Sequence, residues 1–298
     1  MNEKNIISLS KKEDDEKNCS NIIEEKITKD QKIIELKKYK IGKLLFNKDL
    51  DRKIYEFICL NTNKKFAVKM IPKKRLNPRE KKKILTLLKI IGSLDHPNII
   101  KYDNYFEDDN NIYIFLDSIN DICFNDYLKN EINVGEIEIK NYILQIIKGL
   151  QYLHNNKIIH RNLKLDNIYL TNNKELKIGD FDLAVKLNFD GEKRKSIKGT
   201  PLYMAPELLS EKEYSYEIDI WSLGIIIYTI LIGKTPFETQ NFCELLDKVK
   251  RMDYTFPKNK KISDDAKDLI SKILVEDPSK RLTLDQILEH KFFKKEQL

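Results

Sequence analysis

Apolar and polar positions alternate in short runs over the first half of the chain and recur at helical spacing over the second. Residues 39–46, 53–59, 65–71 and 112–116 are rich in β-branched and aromatic side chains, which predicts strands. One helix is predicted between them, over 78–94. Beyond Ser118, Ile139, Tyr142, Ile143, Ile146, Ile147 and Leu150 fall on one helical face. The order predicts an α+β fold of two lobes around a cleft. Residues 37–118 form a small antiparallel sheet with one helix, and 119–298 form a larger, mainly helical lobe, joined near 117–120. Residues 1–36 are rich in Asn, Lys, Glu and Asp with few aromatics, and predict a disordered or partly helical tail. No internal repeat is visible.

Composition narrows the classes. The 298 residues are 41% hydrophobic and 34% charged, which fits a soluble globular protein with ample core. Cys19, Cys59, Cys123 and Cys243 have no metal-ligand spacing and read as reduced thiols of the cytoplasm or nucleus. The opening residues lack the apolar stretch of a signal peptide. The most apolar segment, 221–232, is too short to cross a bilayer and reads as a buried helix. A net charge of +7 is spread along the chain, and its densest run, Lys81-Lys82-Lys83, reads as a solvated helix face rather than a nucleic-acid patch. Neither nucleic acid nor membrane is expected as a partner; a mildly basic surface favours acidic protein substrates or partners.

The informative residues come as an ordered series. Ala67-Val68-Lys69 lies in a predicted strand, and His160-Arg161-Asn162-Leu163-Lys164-Leu165-Asp166-Asn167 follows the long helical segment. Asp180-Phe181 follows the strand Leu176-Lys177-Ile178. Gly199-Thr200-Pro201, Ala205-Pro206-Glu207, Asp219-Ile220-Trp221 and Arg281 come after it. In this order and spacing, the stretch from Tyr39 to Phe293 resembles a eukaryotic protein kinase. Within that family it looks most like the polo-like serine/threonine kinases. That narrower resemblance is carried by Tyr152-Leu153-His154, Lys177-Ile178-Gly179-Asp180-Phe181, Phe189-Asp190-Gly191-Glu192 and Gly233-Lys234-Thr235-Pro236-Phe237-Glu238-Thr239.

The resemblance implies roles. Gly42, Lys69 and Asp117 stand at ATP-binding positions, with Lys69 pairing the α- and β-phosphates; Asn167 and Asp180 stand at magnesium-ligand positions. Asn162 occupies the place of the catalytic aspartate, and Lys164 steadies the transferring phosphate, as in serine/threonine kinases. Ser196 and Thr200 are the candidate regulatory positions, and a phosphate on Ser196 would pair with Arg161. Arg161, Glu207, Asp219 and Arg281 are structural, with Arg281 pairing Glu207. ATP and magnesium are the implied cofactors.

Four departures bear on the chemistry. Asn162 matches aspartate in size but takes up no proton near neutral pH. The loop after Gly42 lacks the second and third glycines of the family pattern; Leu44 and Asn47 stand there, the loop is several residues longer, and Asp49 and Asp51 add negative charge that is unfavourable near a triphosphate. The helix glutamate that should hold Lys69 is replaced by Leu87, nine residues before His96, and Glu80 lies two turns away, about 10 Å along the axis. Asp182 replaces the glycine after Asp180-Phe181, either joining the metal site or repelling phosphate. Unpaired, Lys69 is free to swing to Asp180.

Two readings follow. One is a kinase fold with impaired catalysis and weak ATP and magnesium binding, acting on a protein partner as a monomer or in a hetero-complex. In that reading, if ATP does not bind, Leu44, Leu45 or Phe46 fills the cleft. The other is an active serine/threonine kinase with an atypical site.

Overall fold

The computed structural model describes residues 22–23, 39–47, 53–116, 123–131, 134–171 and 173–294. Asp49, Asp51, Asp117, Cys19 and the tail, apart from 22–23, lie outside them. Six strands make one antiparallel sheet in the order β1-β2-β3-β4-β6-β5. They are β1 (Ile22–Ile23), β2 (Tyr39–Asn47), β3 (Lys53–Cys59), β4 (Lys65–Pro72), β5 (Tyr102–Glu107) and β6 (Asn111–Leu116). The alternation of the sequence becomes two buried faces. Ala67, Ile71, Ile112, Ile114 and Leu116 turn toward the main core. Phe66, Val68, Tyr113 and Phe115 form a second, aromatic cluster with Tyr39 and Phe57. Successive strand residues point to opposite faces, so Lys69 lies on the main-core side with Ala67 and Ile71. Ladder pairing fixes its place: Lys69 sits opposite Ile54 on one neighbour and Ile114 on the other.

β5 was not anticipated. Its polar-rich Tyr102-Asp103-Asn104-Tyr105-Phe106-Glu107 has no fully buried residue, as suits the outermost strand of the sheet.

Helix α1 (Pro78–Ile91) has a complete capping box. The Asn77 side chain accepts the Glu80 N–H at 2.9 Å, and the Glu80 carboxylate accepts the Asn77 N–H at 3.0 Å. The helix stops three residues short of the sequence expectation, at Gly92. The Lys81-Lys82-Lys83 run is at the surface, with Lys82 and Lys83 exposed and Lys81 half-buried. Lys81 pairs with Glu107 at 2.9 Å, while Lys83 has its pKa lowered by partial burial and by the charges of Arg161 and Lys198.

The remaining chain supplies helices α2 (Phe124–Asn130), α3 (Glu136–Asn155), α4 (Pro206–Leu209), α5 (Glu217–Ile232), α6 (Phe242–Arg251), α7 (Asp264–Ile273) and α8 (Leu284–Leu288). Two hairpin-like pairs frame the site: β7 (Ile158–Ile159) with β10 (Val185–Lys186), and β8 (Ile168–Leu170) with β9 (Leu176–Ile178). The helical stripe read from the sequence is the buried face of α3, where Tyr142, Ile143, Ile146, Ile147 and Leu150 join the core. α5 starts at Glu217, four residues before the apolar segment, and is buried almost all round. Gly224 lets α5 approach α7 closely, because a Cβ there would lie 2.6 Å from Ile273. No helix among the described residues is long and apolar enough to cross a membrane.

Candidate active site

The segment after β7 is held by one buried carboxylate. Asp219 of α5 accepts the backbone N–H groups of His160 (2.8 Å) and Arg161 (2.9 Å), and its Oδ2 lies 3.1 Å from His154 Nε2. Arg161 takes the left-handed conformation there (φ 64°). Burial pushes the Asp219 carboxyl up, but the hydrogen bond and charge of His154 outweigh it and hold the pKa below the ordinary value. Asp219 therefore contributes stability that is fully present above about pH 4. That contribution fades as pH falls through the lower folded value. We expect Asp219→Asn to cost about 1.5–3 kcal/mol near neutral pH and to flatten the acid limb of the stability curve. Denaturant melts at several pH values would show it.

Asn162 is buried, and its Oδ1 accepts the Thr200 hydroxyl at 2.8 Å. Its carbonyl accepts the Asn167 amide, also at 2.8 Å. Thr200 thus fixes the Asn162 amide rather than standing as a separate element. Lys164 lies near Asp166 (3.7 Å), which in turn accepts Asn125 of α2 at 2.7 Å.

Lys69 is buried and bonded to two carboxylates, Asp180 Oδ1 at 2.9 Å and Asp182 Oδ2 at 2.6 Å. Burial opposes its charge, but Asp180 and Asp182 together raise its pKa above that of an ordinary lysine. The swing toward Asp180 was legible in the sequence. The Asp182 contact was not: beside the expectations of joining the metal site or repelling phosphate, this carboxylate pairs with the lysine. The turn also differs from expectation. Asp182 lies within a 3-10 turn (Phe181–Leu183) and is not among the left-handed residues; the left-handed residue is Asp180 (φ 60°, ψ 64°). No glycine is needed at 182.

Behind the lysine runs an aromatic stack. His160 lies 5.1 Å from Phe181, and Phe181 lies 6.1 Å from Tyr102 of β5. His160 Nε2 also meets the Gly179 carbonyl at 3.0 Å, tying this segment to the end of β9. A second contact closes the gap between sheet and β8. Phe46 of β2 is buried, with its ring 5.4 Å from that of Tyr169 in an edge-to-face arrangement. Of the three side chains considered for the cleft, Phe46 is the buried one; Leu44 is 43% exposed. Gly42 lies in the β2–β3 ladder beside a register shift between Ile41 and Leu44.

Arg161 gathers three segments. Its Nε donates to the Leu183 carbonyl (2.6 Å), and Nη1 donates to Ser196 Oγ (2.9 Å) and Tyr214 Oη (3.1 Å). Tyr214 in turn donates to the Ser196 carbonyl at 2.7 Å. Ser196 is exposed, in a basic setting of Arg161, Lys83 and Lys198. Further away, Arg281 uses all five N–H donors. It makes a two-pronged pair with Glu207 (2.7 and 2.6 Å) and donates to the carbonyls of Glu217, Val275 and Glu276. Its guanidinium sits 5.0 Å from the Trp221 ring centre.

Lys69 pairs with Asp180, and Asn162 joins Asn167 and Thr200; the two groups meet where the Gly179 N–H donates to the Asn167 carbonyl. Oxygen donors of Asp180 and Asn167 suit a hard cation such as magnesium, and the Lys69 ammonium suits phosphate, so the residues present fit the implied cofactors. The chain matches the protein kinase domain family over residues 52–293 and belongs to that family. Its kinase domain is polo-like. It is 46% identical over 275 residues to a probable serine/threonine-protein kinase CCRP1 of Zea mays, covering 92% of this chain and 44% of that protein. It is 40% identical over 250 residues to serine/threonine-protein kinase polo of Drosophila melanogaster (84% and 43%), and 42% identical over 242 residues to serine/threonine-protein kinase PLK1 of Xenopus laevis (81% and 40%). The chain spans less than half the length of these relatives.

Tyr102, Tyr169 and Tyr214 escaped the sequence reading. Each matters through a contact between distant segments, for which periodicity and spacing carry no signal.

Proposed function

We propose that this is a polo-like serine/threonine protein-kinase domain impaired at the chemical step, which acts chiefly by engaging a protein partner. The observation that carries the reading is Asn162: an amide, fixed by Thr200, in the position where a carboxylate should receive the proton of the substrate hydroxyl. Its carbonyl oxygen can accept a hydrogen bond from that hydroxyl and so orient it, but cannot take the proton. Magnesium, when bound, supplies charge neutralisation at the phosphates, and Asp180 and Asn167 would hold it. Lys69 would orient the phosphates, and Lys164 would steady the transferring group. ATP binding is weak because a purine must compete with the Phe46–Tyr169 contact. The chain divides into a tail (1–36), of which Ile22–Ile23 pairs with the edge of the sheet, a sheet lobe (37–118) and a helical lobe (119–298), with cytoplasmic or nuclear placement.

A second reading, an active kinase with an atypical site, is favoured by the His160–Phe181–Tyr102 stack and by the presence of Lys69, Lys164, Asn167 and Asp180. Transfer from radiolabelled ATP to casein or to the chain itself separates them. The impaired reading expects incorporation near that of an Asp180→Ala control, and robust incorporation sensitive to that control would defeat it. Nucleotide binding is a separate expectation. Millimolar ATP with magnesium should raise the melting temperature slightly, since a ligand of the folded state adds RT ln(1 + [L]/Kd). No shift at any ATP concentration would remove ATP from the reading.

A further inference from the structure

Lys69 meets two carboxylates, Asp180 Oδ1 and Asp182 Oδ2, and the geometry gives the two different roles. Asp180 lies at the end of β9 with Asn167 close by, since the Gly179 N–H donates to the Asn167 carbonyl at 2.9 Å. Asp182 lies within the Phe181–Leu183 turn, which packs against α1. We infer that Asp182 is the positioning residue for Lys69, replacing a carboxylate that α1 does not provide, and that it holds the lysine in place while Asp180 turns to a divalent cation.

Three observations support this division. First, α1 has nothing to offer: Leu87 is half-buried against the main core, and the Glu80 carboxylate is exposed and committed to the helix cap. Second, the Asp182 contact is the shorter of the two, 2.6 against 2.9 Å, as for a strong charge-assisted hydrogen bond. Third, the turn that presents Asp182 is pinned. The Phe181 ring packs between His160 and Tyr102, and the Leu183 carbonyl accepts Arg161. Asp182 adopts its place without left-handed backbone, so the substitution strains nothing. Lys69 is thus anchored from the turn and not from the helix, and α1 can shift without releasing it.

The inference rests on Lys69 as the nucleotide-facing lysine, so the test has one arm without nucleotide. In the ligand-free chain, modification of Lys69 by an amine-directed acylating reagent is followed by peptide mass spectrometry. Asp182→Asn should speed this modification several-fold, and Asp182→Asn/Leu87→Glu should return it to the wild-type rate. In the second arm, a fluorescent ATP analogue with magnesium is titrated. Asp182→Asn should weaken binding about tenfold, as loss of an orienting partner does, with recovery in the double variant. Unchanged modification in Asp182→Asn, or tighter nucleotide binding, would overturn the inference, the latter by showing that Asp182 merely repels phosphate. Should Asp182→Asn not fold, the double variant decides: a folded chain with a protected Lys69 supports the anchor, and an unfolded one refutes it. If modification follows the expected pattern while no form binds nucleotide, the anchor stands and the nucleotide reading falls.

Discussion

Asn162→Asp should raise kcat for phosphate transfer to a protein substrate by about 10²–10⁴-fold, the usual contribution of a positioned general base. The KM for ATP should stay unchanged. The substitution is nearly isosteric, and Thr200 already donates to the oxygen that the new carboxylate would retain, so the geometry needs no rearrangement. The gain belongs to kcat because the proton moves only as the transition state forms, while the ATP contacts proposed for Lys69 are untouched by the substitution. Steady-state kinetics over a range of ATP concentrations separates the two constants. An unchanged kcat would mean that the phosphate cover or the Phe46–Tyr169 contact limits turnover. A fall in KM with constant kcat would mean that Asn162 disturbs ATP binding rather than chemistry.

The second large effect is on stability. Arg281→Met should destabilise the fold by about 3–5 kcal/mol, because it leaves the Glu207 carboxylate buried without its partner. For a domain of this size, that lowers the melting temperature by about 10 °C or more. The double variant Glu207→Leu/Arg281→Met should recover only part of the loss. It removes the orphaned charge, yet the carbonyls of Glu217, Val275 and Glu276 still lose their donor. Chemical denaturation of the two variants beside the wild type measures the split. Equal stability of Arg281→Met and wild type would show that water enters and satisfies Glu207.

Much of the fold was legible because it is written in local pattern. Residues 53–59 are rich in the β-branched and aromatic side chains of a strand, and 139–150 show the spacing of a helix packed on one side; both elements are present. What escaped was set by position within the whole. β5 is an edge strand, and its Asp103 and Asn104 read as a loop until β6 supplies the pairing. The end of α1 was placed too late because the apolar run continues to Leu94, although Gly92 breaks the helix first. At the site, residue identities could be read but their partners could not. That Leu87 offers Lys69 nothing follows from one position in the chain. That Asp182 takes up the lysine depends on a turn that brings residues 113 apart in sequence together. Tyr214 is similar: only the folded chain puts its hydroxyl between Arg161 and Ser196.

The most direct measurement is a single-turnover one. Chain in excess over γ-labelled ATP, with saturating magnesium and a protein substrate, reports the chemical step free of product release. Wild type should transfer phosphate at a rate indistinguishable from Asp180→Ala, and at least about 10²-fold below Asn162→Asp. A wild-type rate within tenfold of Asn162→Asp, and abolished by Asp180→Ala, would show a competent enzyme that uses another proton acceptor.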